Sequence, residues 1–452
     1  MIRTPAILFI VLFGATACAG ELTPLLDPVR LDYNLKTTVG AYDTVGRRNP
    51  AWDPAARQCL ATFARLRSTT NQVVEGFFRD LQKDLPQLAG SACDDPMIGY
   101  LQLRFVSTEG HSTAESAAAF RKTALAMKDS GYPAIRKFYA TLWAVRLARQ
   151  TDRNAPDLAD LLDTLNSELA KAIDDPSIPG AEAGDAVLSV MELLAGYRAD
   201  RWNAFRAMEP ALSRRWTNAA WAHQARGQAY LDYAWIARGN GYANTVSQAN
   251  WKRFAERIQT ASEALETAWR LDPTDVRTCQ EMIRVELAQG QGRNRMETWF
   301  QRGIRLDPSN YALCSGKMEY LRPRWHGSIP DMIAFGRECT FNTNYAGAVR
   351  LLLADAHLEA SREIQNDQER AAYWRQKGVW SDVKAAFEQF FKLYPGETGY
   401  RHNYAFYAFR CGRWQEFLDQ VNLFPSTNAA YFGGQKRFDE MIRQATSEKR
   451  EP

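Results

Sequence analysis

The most chemically loaded stretch of the chain is Leu321 to Pro330, which reads Leu-Arg-Pro-Arg-Trp-His-Gly-Ser-Ile-Pro. Pro323, Gly327 and Pro330 interrupt any helix here, so the side chains between them stand on a connection. Arg322 and Arg324 carry planar guanidinium forks that match carboxylate or phosphate oxygens, and Trp325 offers a flat apolar face. With His326 beside them and Arg293, Arg295, Arg302 and Arg305 shortly upstream, such a group would recognise an anion or a sugar. Arg293, Arg295, Arg322, Arg324, Trp325 and His326 are therefore the candidate partner-binding residues. The same residues would equally suit an inter-repeat turn, with the tryptophan plugging the core and the cations capping helix C-termini.

Catalytic arrangements do not emerge. His326 and Ser328 are two residues apart in one loop, which makes no nucleophile–base–acid triad, and there is no Gly-x-Ser-x-Gly elbow. Asp355, His357 and Glu359 alternate along an expected helix, where residues two apart point away from each other, so they form no metal site unaided. The pairs Asp94-Asp95 and Asp174-Asp175 each precede proline, a pattern that helix N-capping explains better than acid–base chemistry. His-Glu-x-x-His and Cys-x-x-Cys are absent, and His111, His223, His326, His357 and His402 are scattered. We expect no catalytic residue, no metal and no cofactor.

The elements that would hold these residues belong to an ordinary globular composition, with 46% hydrophobic and 24% charged residues in 452. Lys plus Arg exceeds Asp plus Glu by 4, which argues against a dedicated nucleic-acid binder. Residues 1–20 read as a secretory signal peptide, with Arg3, an apolar run from Ala6 to Phe13, and small residues at Ala15, Ala17, Ala19 and Gly20. That run is too short to span a bilayer. Ala15-Thr16-Ala17-Cys18 resembles the lipobox of bacterial lipoproteins, which makes Cys18 a lipidation candidate, although Ala15 stands where that pattern prefers leucine. The chain is thus expected to be exported to the periplasm or cell envelope of a bacterium, with a lipid anchor at Cys18 or ordinary cleavage.

Export to an oxidising compartment makes disulfides plausible for the remaining six cysteines. The helical hairpins place Cys59 near Cys93 and Cys314 near Cys339, and these are the expected pairs. Cys279 and Cys314 occupy equivalent positions in adjacent repeats and would lie too far apart to bond.

Apolar residues recur every three or four positions from about residue 50 onward, as in Ile135, Phe138, Leu142 and Val145, or Leu158, Leu161, Leu165 and Leu169. This period predicts helices throughout and an all-α class. The thirteen tryptophans fall mostly within or beside these helices, where large rings fill a core. Ala268-Trp-Arg-Leu-Asp-Pro-Thr-Asp275 and Gly303-Ile-Arg-Leu-Asp-Pro-Ser-Asn310 repeat at an offset of 35 residues. Stepping back from Pro273 gives Ala261, Leu265 and Ala268; from Pro308 it gives Met296, Phe300 and Gly303. Val383, Phe387, Phe390 and Pro395, and Gly412, Trp414 and Phe417, continue the pattern. These residues resemble the tetratricopeptide repeat, which implies an α-α superhelix, a solenoid of stacked antiparallel helix pairs. With Trp325-His-Gly-Ser328 and Phe335-Gly-Arg-Glu-Cys339, the chain also looks like an uncharacterised group of secreted bacterial helical-repeat proteins.

The expected layout is a signal peptide (1–20), an extended arm or linker (21–50), an N-terminal helical region (51–210), a tetratricopeptide-like region (211–446) and a disordered tail (447–452). The function expected from it is a non-enzymatic scaffold that binds a protein or peptide partner in the envelope, with no nucleic acid and no transmembrane helix. An envelope hydrolase or carbohydrate-active enzyme on an α/α toroid is the alternative. The sequence leaves the oligomeric state open.

Overall fold

A computed structural model describes residues 23–71, 73–106, 112–152, 154–424 and 427–448. The signal segment and Cys18 lie outside them. The protein is all-α, and the described chain divides into two compact units, Met1–Leu193 and Leu194–Pro452. The boundary falls earlier than the sequence suggested. Helix Arg198–Arg215 packs on helix Ala220–Arg238, with Trp202 stacked on Tyr233 at 3.9 Å and Phe205 edge-on to Tyr230 at 6.1 Å.

The first unit begins with a correction. Residues 28–45 form helix Pro28–Leu35, a π-helical turn Lys36–Gly40 and helix Ala41–Val45 rather than an extended arm. Asp27 starts the run by accepting from the backbone N–H groups of Val29 and Arg30, with Pro28 in the first turn. The wide turn faces Thr37 and Thr38 inward, where their hydroxyls donate to the carbonyls of Tyr33 and Asn34 at 2.8 and 2.6 Å. Asn34, Thr38 and Tyr42 have no exposed surface. Burial and these internal bonds outweigh the poor helix propensity of Thr-Thr-Val-Gly.

The two Asp-Asp-Pro pairs divide. Asp95 does cap helix Pro96–Phe105, accepting from Met97 and Ile98, whereas Asp174 ends helix Leu158–Asp174 and Asp175 accepts from the Ser177 amide at 2.8 Å in the turn beyond it. Asp53 lies inside the first turn of helix Asp53–Arg67 and accepts from the Tyr42 hydroxyl at 2.7 Å and the Asn49 amide at 2.9 Å. Cys59 and Cys93 are free thiols, contrary to the expected bridge. The backbone turns at Ala92, with φ at 57°, and runs directly into Asp95, which the Arg47 amide and the Tyr132 hydroxyl hold in place.

In the second unit the repeated Leu-Asp-Pro signature is a turn built twice. Asp272 ends helix Gln248–Leu271 at φ −142°, ψ 92°, and Asp307 ends helix Arg293–Leu306 at φ −143°, ψ 93°. Each carboxylate accepts the backbone N–H two residues on, from Thr274 and Ser309, both at 3.0 Å. Proline in between cannot continue the helix. Asp275 and Asn310 then cap helices Val276–Gln289 and Tyr311–Tyr320. Ala261, Leu265, Ala268, Met296, Phe300 and Gly303 are all buried.

The small residues in this series mark close approaches. A Cβ on Gly303 would lie 2.7 Å from Leu313 Cδ2 and 3.0 Å from Cys279 Cβ, and one on Gly227 would lie 2.4 Å from Leu265 Cγ. A first core runs from Leu231 to Ala356, a second from Leu351 to Cys411, and a third from Ala405 to Ala445. Cys314 and Cys339 both lie in the first of these, fully buried, as free thiols rather than a disulfide. Helix Gln435–Glu448 takes in Ser447 and Glu448, the first two residues of the expected tail, and residues 449–452 lie outside the described ones. Among the described residues no helix is long and apolar enough to cross a membrane.

Candidate functional site

The six residues singled out around the Leu321–Pro330 loop gather in the second unit, where they hold helices together. Arg322 is largely buried and pairs with Glu359 at 2.7 Å, Glu363 at 2.8 Å and Glu319 at 3.3 Å. Arg324 and the Trp325 indole N–H share Glu319 Oε1, at 2.5 and 2.8 Å. Arg293 pairs with Asp331 at 2.8 Å, and Arg295 with the buried Glu286 at 2.9 Å. Trp325 meets Trp235 edge-on at 5.9 Å. His326 Nε2 lies 2.9 Å from the Leu287 carbonyl in the last turn of helix Val276–Gln289, and so caps it. Each guanidinium already faces at least one carboxylate, the arrangement expected of an inter-repeat turn.

The alternating Asp355, His357 and Glu359 on helix Leu352–Arg362 point three ways. Glu359 joins Arg322 and Arg362. His357 is buried between the Tyr373 hydroxyl, 2.8 Å from Nδ1, and Asp382, 3.0 Å from Nε2, while Arg337 grips the same Asp382 at 2.8 Å. This chain of hydroxyl, imidazole and carboxylate looks like a proton relay, but burial pushes the Tyr373 phenol up to about 12 and holds His357 below its ordinary value. Neither shift activates a nucleophile. Among the described residues no group of three or more His, Cys, Asp or Glu is arranged to hold a metal ion.

Asp355 faces a hollow of about 380 Å³. Its two oxygens accept from the hydroxyls of Tyr311 at 2.5 Å and Tyr407 at 2.8 Å. Tyr400, Phe387 and Asn403 also line it, and Asp355 is the one carboxylate among the lining residues.

A separate hollow of about 280 Å³ brings together Arg375, Arg410 and Arg437 over Phe406, Phe409 and Trp414, with no carboxylate among its lining residues. Arg375 follows helix Asp367–Trp374, Arg410 ends helix Arg401–Arg410, and Arg437 lies in the first turn of helix Gln435–Glu448. Among the described residues none of the three pairs with an acidic side chain, and all three keep exposed surface although the Arg410 guanidinium is partly withdrawn from water. The Arg410 guanidinium lies 4.7 Å from the Phe406 ring centroid. Withdrawal from water and the like charges of Arg362, Arg370 and Arg437 hold it below the ordinary arginine range. Sequence reasoning missed this group because no local motif links its members. One signal was present: Arg375 and Arg410 stand 35 residues apart, the offset of Pro273 and Pro308, and both fall at helix C-termini.

The first unit contains a buried charge centre. Glu182, with no exposed surface, receives Arg30 at 2.7 Å and Arg67 at 3.0 Å. Arg136, also buried, donates instead to Thr37 Oγ1 at 2.9 Å and to Asn34. Burial alone would raise the Glu182 pKa, but Arg67, Arg136 and Arg30 bring it down to about 2. These side chains tie residues 28–45 to helices Asp53–Arg67, Ala134–Thr151 and Gly180–Leu193, which is a structural task.

No family model matches the chain, and no curated protein matches it. Among solved structures, a monomeric mutant of IFIT1 with Gppp-AAAA is 13% identical, with 87% of this chain and 84% of that chain covered and a TM-score of 0.29. The human IFIT1 dimer with m7Gppp-AAAA is 11% identical, covering 94% of this chain and 96% of that one at a TM-score of 0.30. The dimer with PPP-AAAA is 12% identical, covering 89% and 95% at 0.28. Likeness this loose transfers no ligand or activity to the present chain.

Proposed function

We propose that the protein is a non-enzymatic helical-repeat scaffold, exported to the bacterial cell envelope, whose C-terminal repeats bind an acidic segment of a protein partner. The observation that carries this reading is the Arg375, Arg410 and Arg437 hollow, where guanidinium forks stand over aromatic rings without carboxylate partners. Such forks recognise carboxylates bidentately, and the rings below would take an aromatic or aliphatic neighbour in the same segment. A peptide suits the hollow better than a polynucleotide. The site is local, the arginines around the Leu321–Pro330 loop are neutralised, and a nucleic-acid track needs a run of free phosphate contacts. Export rests on the signal-like residues 1–20 and on the lipobox-like Ala15 to Cys18.

The hydrolase reading needs two carboxylates facing one pocket. The Asp355 hollow supplies one and the arginine hollow none. To test the proposal, a fluorescent peptide of alternating Glu and Phe is titrated against the chain lacking residues 1–20, beside an adenosine oligoribonucleotide of equal charge. Saturable peptide binding that weakens at least tenfold in Arg410→Ala/Arg437→Ala is expected. Preference for the oligoribonucleotide, or release of sugars from envelope glycan by the parent but not by Asp355→Asn, would overturn it.

A further inference from the structure

Asp355 is a carboxylate set among aromatic rings with no cation to meet it. Among the described residues no Lys, Arg or His makes an ion pair with it, although the arginine nearest on its own helix, Arg362, pairs with Glu359. Its hydrogen bonds come from two phenols, which leave the negative charge in place. Around it stand the rings of Tyr311, Tyr400, Tyr407 and Phe387, with Asn403 as a further polar group. Tyr311 is exposed at the rim, while Tyr407 and Phe387 are buried in the floor.

We infer that this hollow binds an organic ammonium group, which Asp355 neutralises and the tyrosine and phenylalanine rings enclose. The π-face of an aromatic ring attracts a cation, and several rings around one carboxylate favour a cation over a neutral group of the same shape. At about 380 Å³ the space admits a trimethylammonium head or the end of a lysine side chain. The lining also explains why an anion or a metal is a poor occupant: the sole charge is negative, and the remaining donor atoms are phenols and one amide.

The pH dependence has a definite sign. Burial raises the Asp355 carboxyl above the ordinary range, helped by Glu359 on its own helix; the hydroxyls of Tyr311 and Tyr407 and the charge of Arg362 oppose the rise. Tyr400 and Tyr431 are the other titratable groups that sense it, and they remain neutral around pH 7. A bound cation favours the ionised form. Affinity should therefore be full above the Asp355 pKa and should fall as pH drops through it.

The experiment is calorimetric titration of the chain lacking residues 1–20 with choline, with N-acetyl-lysine methylamide, and with 3,3-dimethylbutan-1-ol, the uncharged counterpart of choline. Saturable binding of choline or of the lysine compound is expected, at least tenfold tighter than that of the alcohol. Asp355→Asn should lose it while keeping the helical circular-dichroism signal. Tyr400→Leu, at the hollow's edge, should weaken it severalfold and serves as the second variant if Asp355→Asn does not fold. Equal binding of the alcohol, binding of neither cation, unchanged binding in a folded Asp355→Asn, or unchanged binding in Tyr400→Leu would overturn the inference. Because Arg410 and Arg437 do not line this hollow, failure here is distinguishable from failure of peptide binding at the arginine hollow.

Discussion

A carboxylate as deeply buried as Glu182 persists because Arg30 and Arg67 meet it at 2.7 and 3.0 Å and Arg136 lies close enough to lower its pKa further. Its folded pKa of about 2 lies below the 4.5 of a free side chain. The stabilisation is thus present above about pH 4.5 and is lost as pH falls toward 2, and a shift of this size corresponds to about 3 kcal/mol. Glu182→Ala would take the buried carboxylate from Arg30 and Arg67, leaving them the half-exposed Asp185, and should destabilise the chain by about 3 to 5 kcal/mol in urea unfolding at pH 7. A loss below about 1 kcal/mol would mean that water already screens the cluster. The same scale explains what the sequence hid. Arg322 and Arg324 were legible as guanidiniums on a loop, but Glu359 and Glu363 reach Arg322 from a helix about 40 residues on, and one-dimensional spacing does not report such pairing.

The element scale was the most legible, because turn chemistry is local. Arg-Leu-Asp-Pro followed two residues later by Asp or Asn spells helix end, turn and next N-cap within a few residues. The two copies superpose in dihedral angle. Helix Pro28–Leu35 and its π-helical turn were not legible, since only contacts with residues such as Arg136, far along the chain, favour burying Thr37. Two glycines test the repeat packing. Gly303→Val forces a branched side chain into a gap where the first carbon already lies 2.7 Å from Leu313, and it should cost about 2 to 4 kcal/mol by thermal melting. At Gly316 the nearest atom to a new Cβ is Ile283 Cγ2 at 3.5 Å. There Gly316→Ala should be neutral or raise stability by up to about 1 kcal/mol. Equal effects at the two sites would contradict the repeat register.

At the scale of the whole molecule, composition and periodicity were enough for the all-α class, while the location of free charge required the three-dimensional arrangement. Two groups of arginines in the second unit differ: those around the Leu321–Pro330 loop meet acidic partners, and Arg375, Arg410 and Arg437 converge on a hollow with no carboxylate in its lining. Arginines paired across the array are thus distinct from the arginines proposed to face a partner. The most direct measurement compares Arg410→Ala/Arg437→Ala with Arg322→Ala/Arg324→Ala by thermal melting and by titration with the acidic peptide. The first variant should keep the parental melting temperature within about a degree and lose at least tenfold in affinity. The second should lose about 2 to 4 kcal/mol of stability, since it takes the cation from Glu363 and leaves Glu359 only Arg362 and Glu319 only the Trp325 indole, and should bind the peptide as the parent does wherever it remains folded. The reverse pattern, with binding lost through Arg322 and Arg324 and stability lost through Arg410 and Arg437, would contradict the account.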